Sequence, residues 1–174
     1  MDELSLAREW YRYNARVRDL YLEAILKLPT PERLRDQGAS FPSLMDVFVH
    51  VLDAYAYWFR HVARNDFSDY HRRRGQALSE EDVREAVRQT NALVNGYLDR
   101  LRPEDLDSTL HATYVHEGRT VQKEIRVRDM VWHLVEEELQ HRGELNAMLW
   151  QMGREPPVWS WDDWKNEAKG ASPP

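Results

Sequence analysis

The sequence contains no cysteine. This absence excludes disulfide bridges, thiolate metal sites and a cysteine nucleophile. Basic residues are not in surplus either, because 24 lysines and arginines stand against 30 aspartates and glutamates. The resulting net charge of -6 argues against binding to nucleic acid. Long apolar runs are also missing, so we expect no membrane-spanning segment and no membrane partner.

The beginning of the sequence lacks the apolar core of a secretory signal peptide, since Met1-Asp2-Glu3-Leu4 is acidic. We therefore expect a cytoplasmic protein. Three consecutive arginines, Arg72 to Arg74, lie in a polar stretch that is predicted to be a loop. A solvated loop is the favoured interpretation of this triplet, and a phosphate-binding site is the alternative.

The residues that are present suit one globular domain with a tail. A length of 174 residues with 42% hydrophobic side chains is enough for a single sizeable core but short for two. We predict a helical bundle over residues 1–155 and a tryptophan-rich tail over residues 156–174. Three indoles, Trp159, Trp161 and Trp164, follow two prolines in this tail. They are expected to pack on the bundle or on a partner subunit.

Four long segments place apolar residues at the three- and four-residue steps of a buried helical stripe. The predicted helices cover residues 4–28, 43–64, 79–102 and 127–152. Between the last two, residues 110–115 and 120–125 are short and rich in threonine, valine, tyrosine and isoleucine. This composition predicts a small hairpin. The predicted fold is all-α, a four-helix bundle with a small β-hairpin between helices 3 and 4.

The fourth predicted helix carries the strongest functional signal. Glu137 and His141 occupy two positions of a stripe that is otherwise apolar. Their i, i+4 spacing places both side chains on one face, and a carboxylate that faces a core is costly unless it is paired or bound to a metal. On these two residues alone, two interpretations are equally favoured. One is a metal site. The other is that Glu137 and His141 hydrogen-bond each other or pair with arginines of helix 1. The apolar positions of the stripe are Met130, Leu134, Leu145, Met148 and Met152.

A third ligand would have to come from another helix at the same height. If helices 2 and 4 are antiparallel, residues that lie level have residue numbers with a nearly constant sum. His50 with His141 and His61 with His133 both meet this condition, so two pairings are open. The nearby Glu137 favours the pairing of His50, and we interpret His61 and His133 as polar boundary residues rather than ligands.

The segment from His133 to Leu145 resembles the fourth-helix motif of DinB/YfiT-like proteins, a His-x-x-x-His pair whose second histidine is followed by Arg-Gly. The resemblance covers most of the chain. Further matching residues are Tyr13-Asn14, Leu28-Pro29, and His50 followed by Trp58-Phe59.

The resemblance implies an up-down-down-up bundle, with residues 65–78 as the long crossover. It also implies metal ligands at His50, position 137 and His141. Position 137 departs from the family pattern, because it is glutamate where histidine is commoner.

Two histidines and one carboxylate suit a divalent ion, zinc or nickel first, with iron or manganese as alternatives. Three protein ligands leave open positions for water or a small-molecule substrate. The wider superfamily resembles metal-dependent transferases and isomerases that use low-molecular-weight thiols such as bacillithiol or mycothiol, and a homodimer is compatible with it. This implies a thiol cofactor and an enzyme of the thiol-transferase or hydrolase type. The alternative is a non-catalytic metal-binding or structural bundle.

The sequence assigns no catalytic or cofactor-binding residue. Tyr57, His133 and Asn14 are candidates for a polar lining of the site, although each is more typical of a core or boundary position.

Overall fold

Six helices and one hairpin make up the described part of the chain, in a computed structural model that describes residues 2–73, 75–76 and 78–167. Side-chain caps explain where three long helices begin. The side chains of Asp2, Ser43 and Ser79 accept hydrogen bonds from backbone N–H groups in the first turns of the helices that begin at Glu3, Leu44 and Glu80. The helices in chain order are α1 (Glu3–Leu26), α2 (Thr30–Arg33), α3 (Leu44–Ala56), α4 (Glu80–Leu98), α5 (Val127–Gln151) and α6 (Trp161–Glu167).

Several short helical elements were not expected from the sequence. α2 begins directly after Pro29, a 3₁₀ turn spans Pro103–Asp107, and α6 lies within the tail. Proline is tolerated in the first turn of a helix, which explains how prolines that end one helix can also begin the next. α3 continues without a break into a π-helical segment, Tyr57–Val62.

Contacts between the long helices establish their directions. Along α1 and α5 the residue numbers of contacting pairs rise together, so these helices are parallel. Between α1 and α4, the residue numbers in α4 fall as those in α1 rise. The residue numbers in α5 likewise fall as those in α3 rise, so both pairs of helices are antiparallel. The chain therefore runs up-down-down-up. The contacting pairs are Glu3–Arg128 and Tyr21–Asn146 for α1–α5, Arg8–Leu98 and Glu23–Arg84 for α1–α4, and, for α3 with its π-helical continuation against α5, His50–Glu137 and Trp58–His133.

The apolar stripes of these helices form the core. Ile25, Leu44 and Leu52 are fully buried in one cluster, and Phe59 and Leu134 are fully buried in a second. The predicted all-α four-helix bundle is confirmed. No helix in the described ranges is both long and apolar enough to cross a bilayer.

The predicted hairpin is also present, and each strand is one residue longer than expected at each end. Strand β1 (Thr109–His116) pairs antiparallel with β2 (Arg119–Arg126). Its turn residues, Glu117 and Gly118, have φ values of 49° and 74°, as a two-residue turn of this handedness requires. The hairpin contacts the π-helical segment through Tyr114, which places it beside the candidate site.

The tail folds back on its own bundle. Trp161 stacks on Trp10 of α1 with ring centroids 4.0 Å apart, and the Tyr13 hydroxyl donates a hydrogen bond to the Trp159 carbonyl. Trp159, Trp161 and Trp164 are each partly buried against the core. The tail is more regular than its sequence suggested, because Ser160 begins α6 by exchanging hydrogen bonds with Asp163. Residues 168–174 of the predicted tail lie outside the described residues.

Candidate metal centre

The antiparallel crossing of α3 and α5 brings three polar side chains together. His50 extends from α3, and Glu137 and His141 extend from successive turns of α5. The Oε1 atom of Glu137 lies 3.0 Å from His50 Nε2 and 3.4 Å from His141 Nε2. All three donor atoms lie within 4.8 Å of one another. The structure thus places the three residues singled out in the sequence at one point.

These distances fit a divalent ion. With metal–ligand bonds of about 2.0–2.2 Å, neighbouring ligand atoms lie roughly 2.8–3.6 Å apart around a tetrahedral or octahedral ion. The separations of 3.0 and 3.4 Å fall in that range. Two imidazole nitrogens and one carboxylate oxygen are also a donor set that zinc, nickel, iron and manganese accept.

The Glu137 carboxylate lies within ion-pair distance of both imidazole Nε2 atoms, each of which can carry a proton. The contacts with His141 and then His50 hold the pKa of the Glu137 carboxyl well below its ordinary value. The same carboxylate, followed by Glu144, raises the pKa of His141 against the opposing effect of burial. An ion bound to both Nε2 atoms would replace these protons, because a ligating imidazole must be unprotonated at the ligating nitrogen.

A fourth residue orients His141. Glu144, one turn further along α5, has Oε2 at 2.9 Å from His141 Nδ1. Its other oxygen, Oε1, accepts hydrogen bonds from the backbone N–H and the hydroxyl of Ser40, at 3.1 and 2.5 Å. A carboxylate on Nδ1 directs Nε2 toward the ion and makes it a better ligand. Glu144 was not singled out in the sequence, although its i+3 spacing from His141 was visible there.

The three-residue cluster is covered on one side and open on the other. The Phe41 ring stacks on His50 with centroids 4.1 Å apart and also contacts His141. On the opposite side, His50 and Glu137 line a cavity of about 270 Å³. The other principal lining residues are Tyr57, Trp58, Tyr70, Arg72, Tyr114 and Lys123.

The cavity walls come from separate parts of the fold. Tyr57 and Trp58 belong to the π-helical segment, Tyr70 and Arg72 to the crossover after it, and Tyr114 and Lys123 to the hairpin. A π-helical turn interrupts regular α-helical spacing and is frequent at functional sites. Here it begins at Tyr57, beside the cluster.

Comparison with known proteins confirms the family resemblance seen in the sequence. The model of the DinB family matches residues 1–169, nearly the whole chain. The chain belongs to the DinB family. Among solved structures, a DinB-like protein from Bacillus subtilis (YjoA) superposes with a TM-score of 0.61 at 15% sequence identity, over 87% of this chain and 97% of that one. A comparison with curated protein sequences finds no match.

The alternative histidine pairing is not formed in this DinB protein. His61 is buried, and its Nδ1 lies 2.7 Å from the backbone carbonyl oxygen of Asp66. The interpretation of His61 as a boundary residue was wrong, since it is a core histidine with a backbone partner. His133 is 38% exposed at its side chain and packs against Trp58. It could join Glu136 and Glu137 around an ion, but Glu136 is 64% exposed, and exposed carboxylates commonly cluster without one.

Of the candidate lining residues, Tyr57 lines the cavity and Asn14 does not. Asn14 is fully buried and accepts a hydrogen bond from Arg142 at 2.9 Å. His133 packs behind Trp58 and is not among the lining residues of the cavity.

Sequence reasoning missed a buried ion pair next to the candidate metal centre. Glu138 is 5% exposed and accepts hydrogen bonds from Arg18 of α1, the shorter at 2.8 Å, and from the Tyr55 hydroxyl. The Arg18 guanidinium also donates to Asn91 of α4 and lies over the Tyr55 ring. Glu138 follows Leu134 by four residues, so the helical pattern permitted this assignment. The predicted pairing between α5 and arginines of helix 1 exists, but it belongs to Glu138 and not to Glu137.

Proposed function

We propose that this DinB protein is a metal-dependent enzyme that binds one divalent ion through His50, Glu137 and His141. The proposal rests chiefly on one observation: the three donors converge, and two of them, His50 and Glu137, line a cavity that is open to a small molecule. Within the described part of the chain, the converging set contains three donors. An ion held by three protein ligands keeps positions for water or substrate, as catalytic sites do.

The reaction class that suits this arrangement is attack of a thiol or a water on a small electrophilic substrate. A bound divalent ion would lower the pKa of that nucleophile and polarise the group that it attacks. Glu144 would fix the orientation of His141, and Phe41 would exclude water from the covered side. Zinc or nickel is the proposed ion, and a low-molecular-weight thiol is the proposed co-substrate.

Metal analysis of protein purified without chelator, followed by thiol-transfer and hydrolysis assays, tests this proposal. We expect about one equivalent of metal per chain, lost in His141→Ala. Activity with a thiol and an electrophilic aryl halide should require that metal. As a control, His111→Ala removes an exposed hairpin histidine and should change neither result. Full activity in His141→Ala, or after metal removal, would refute the enzyme proposal.

A metal-free structural cluster is the second candidate. It is favoured by the contacts that the three side chains and Glu144 make with one another. In that case the purified protein would contain no stoichiometric metal and would gain no stability from added zinc or nickel. A ligand that binds only the folded state raises the melting temperature, so thermal melting with and without each ion separates the two candidates.

A further inference from the structure

We propose that the cavity beside the metal centre takes a small substrate that carries a carboxylate, and that Arg72 and Lys123 bind this group. The inference rests on the proposed function, because it treats the cavity as the substrate site of that enzyme. At about 270 Å³ the cavity lies at the small end of ligand pockets. It therefore suits a small substrate.

Neither of the two positive charges in the cavity wall forms an ion pair at contact distance with a described residue, although the Asp53 carboxylate attracts Arg72 from further away. Asp53 is paired with Arg73, whose backbone N–H donates to it at 2.8 Å. Glu137 belongs to the metal cluster. In the described ranges, no carboxylate lies within 4 Å of the charged groups of Arg72 or Lys123. Two cations therefore face one cavity in a protein whose net charge is -6.

Hydroxyl donors strengthen the case for an anion. The hydroxyl oxygens of Tyr57 and Tyr114 are 2.9 Å apart. One hydroxyl proton lies between them, and the other is left to donate elsewhere. The Tyr70 hydroxyl accepts a hydrogen bond from Arg72 Nε at 3.2 Å and retains its own proton. The pKa of Tyr57 is raised well above its ordinary value, and burial is the largest cause. This hydroxyl therefore remains a donor at neutral pH.

The other groups in the wall restrict the size and charge of the substrate. Trp58 presents an indole face with Lys123 Nζ 5.7 Å from its ring centroid, and such a face suits the apolar body of a small molecule. Asp53 and Glu137 add negative charge nearby. A dianionic phosphate would meet more repulsion from these carboxylates than a carboxylate would. A monoanion is therefore the better match.

Calorimetric titration of zinc-loaded protein with matched probes tests the inference. The first pair is 3-mercaptopropionate and 3-mercaptopropanol, which differ by one carboxylate. The second pair, propionate and propanol, lacks the thiol. We expect each acid to bind at least about 5-fold more tightly than its alcohol, since a partly enclosed charged contact contributes about 1 kcal/mol. Arg72→Gln and Lys123→Gln should each reduce this preference, and the double variant should abolish it.

Two control variants remove exposed cations elsewhere. Arg119→Gln changes the far end of the same hairpin, and Lys27→Gln changes the end of α1. Both should keep the preference. Metal content and circular dichroism must match in all variants, so that lost binding is not lost folding or lost metal.

The outcomes separate this inference from the proposed function. Equal affinity for acids and alcohols would overturn it, whether or not the thiols bind. A preference that survives in the double variant would overturn the assignment to Arg72 and Lys123. If both acids are preferred but the thiol adds no affinity, the carboxylate site stands and the thiol part of the proposed function fails.

Discussion

At the scale of single residues, Glu137 connects the two histidines of the candidate site. Its carboxylate lies between two imidazole nitrogens, 3.0 and 3.4 Å away. Next to it, Glu138 points to a different side of α5 and binds Arg18. Two adjacent glutamates therefore serve different purposes, because consecutive helical residues point about 100° apart.

Glu137→Ala is expected to weaken metal binding more than His133→Ala does. Glu137 lies between the two histidines, whereas His133 packs on Trp58 away from them. Metal content after dialysis, measured by mass spectrometry, checks this. Equal metal content in the two variants would contradict the assignment of Glu137 as a ligand. Loss of metal only in His133→Ala would favour the group that His133 forms with Glu136 and Glu137.

Glu144→Ala should reduce metal affinity by about 10- to 100-fold, the usual effect of losing the partner that orients a histidine ligand. The reason is the 2.9 Å contact between Glu144 Oε2 and His141 Nδ1. Glu144→Gln keeps an acceptor in place and should lose less. Competition with a chromogenic chelator measures both affinities. Unchanged affinity in Glu144→Ala would show that Glu144 only anchors Ser40.

At the scale of elements, the buried pair of Arg18 and Glu138 ties α5 to α1, and Asn91 and Tyr55 extend the network to α4 and α3. Every long helix of the bundle therefore contributes to one hydrogen-bonded group. Such a network favours one arrangement of the helices over alternatives of similar apolar packing.

Glu138→Ala in the metal-free protein should lower the free energy of unfolding by about 3–5 kcal/mol, because it leaves the buried Arg18 charge without its carboxylate. Glu136→Ala is the matched control on the exposed side of the same helix, with an expected change within about 0.5 kcal/mol. Urea denaturation measures both. Similar midpoints for the two variants would contradict the structural role of the ion pair.

At the scale of the whole molecule, the tail packs along the side of α1, against Trp10 and Tyr13. Trp159, Trp161 and Trp164 surround Tyr13, and Lys165 Nζ lies 2.6 Å from Glu9 Oε1. Arg142, which follows the candidate ligand His141, donates a hydrogen bond to the Tyr13 hydroxyl. The tail thus reaches α5 through one tyrosine. A homodimer stays a prediction.

Truncation before Pro156 should lower the melting temperature by several degrees and leave the oligomeric state unchanged. Full burial of one indole stabilises by about 1.5–3 kcal/mol, the three are only partly buried, and 1 kcal/mol corresponds to roughly 2–4 °C at this size. Truncation after Glu167 is the control and should melt like the full chain. Scanning calorimetry and light scattering provide the two measurements. Dissociation of an oligomer into smaller species on truncation would instead place the tail between subunits.

The sequence by itself determined the four long helices, the hairpin and the position of Glu137 and His141. These follow from local periodicity, capping residues and turn composition, which depend on neighbours within a few positions. It also permitted His50 as the third member of the cluster, but left the pairing of His61 with His133 open.

Only the tertiary structure decided between those pairings, because two antiparallel helices can be matched at several heights until their packing is known. It also decided that Glu138, and not Glu137, faces Arg18, since the two residues point about 100° apart and only the packing of α1 on α5 determines which of them α1 meets. The cavity was out of reach of the sequence altogether. Its walls come from a π-helical segment, a crossover and a hairpin that are distant along the chain, and Arg72, interpreted as part of a solvated loop, lies in one of them.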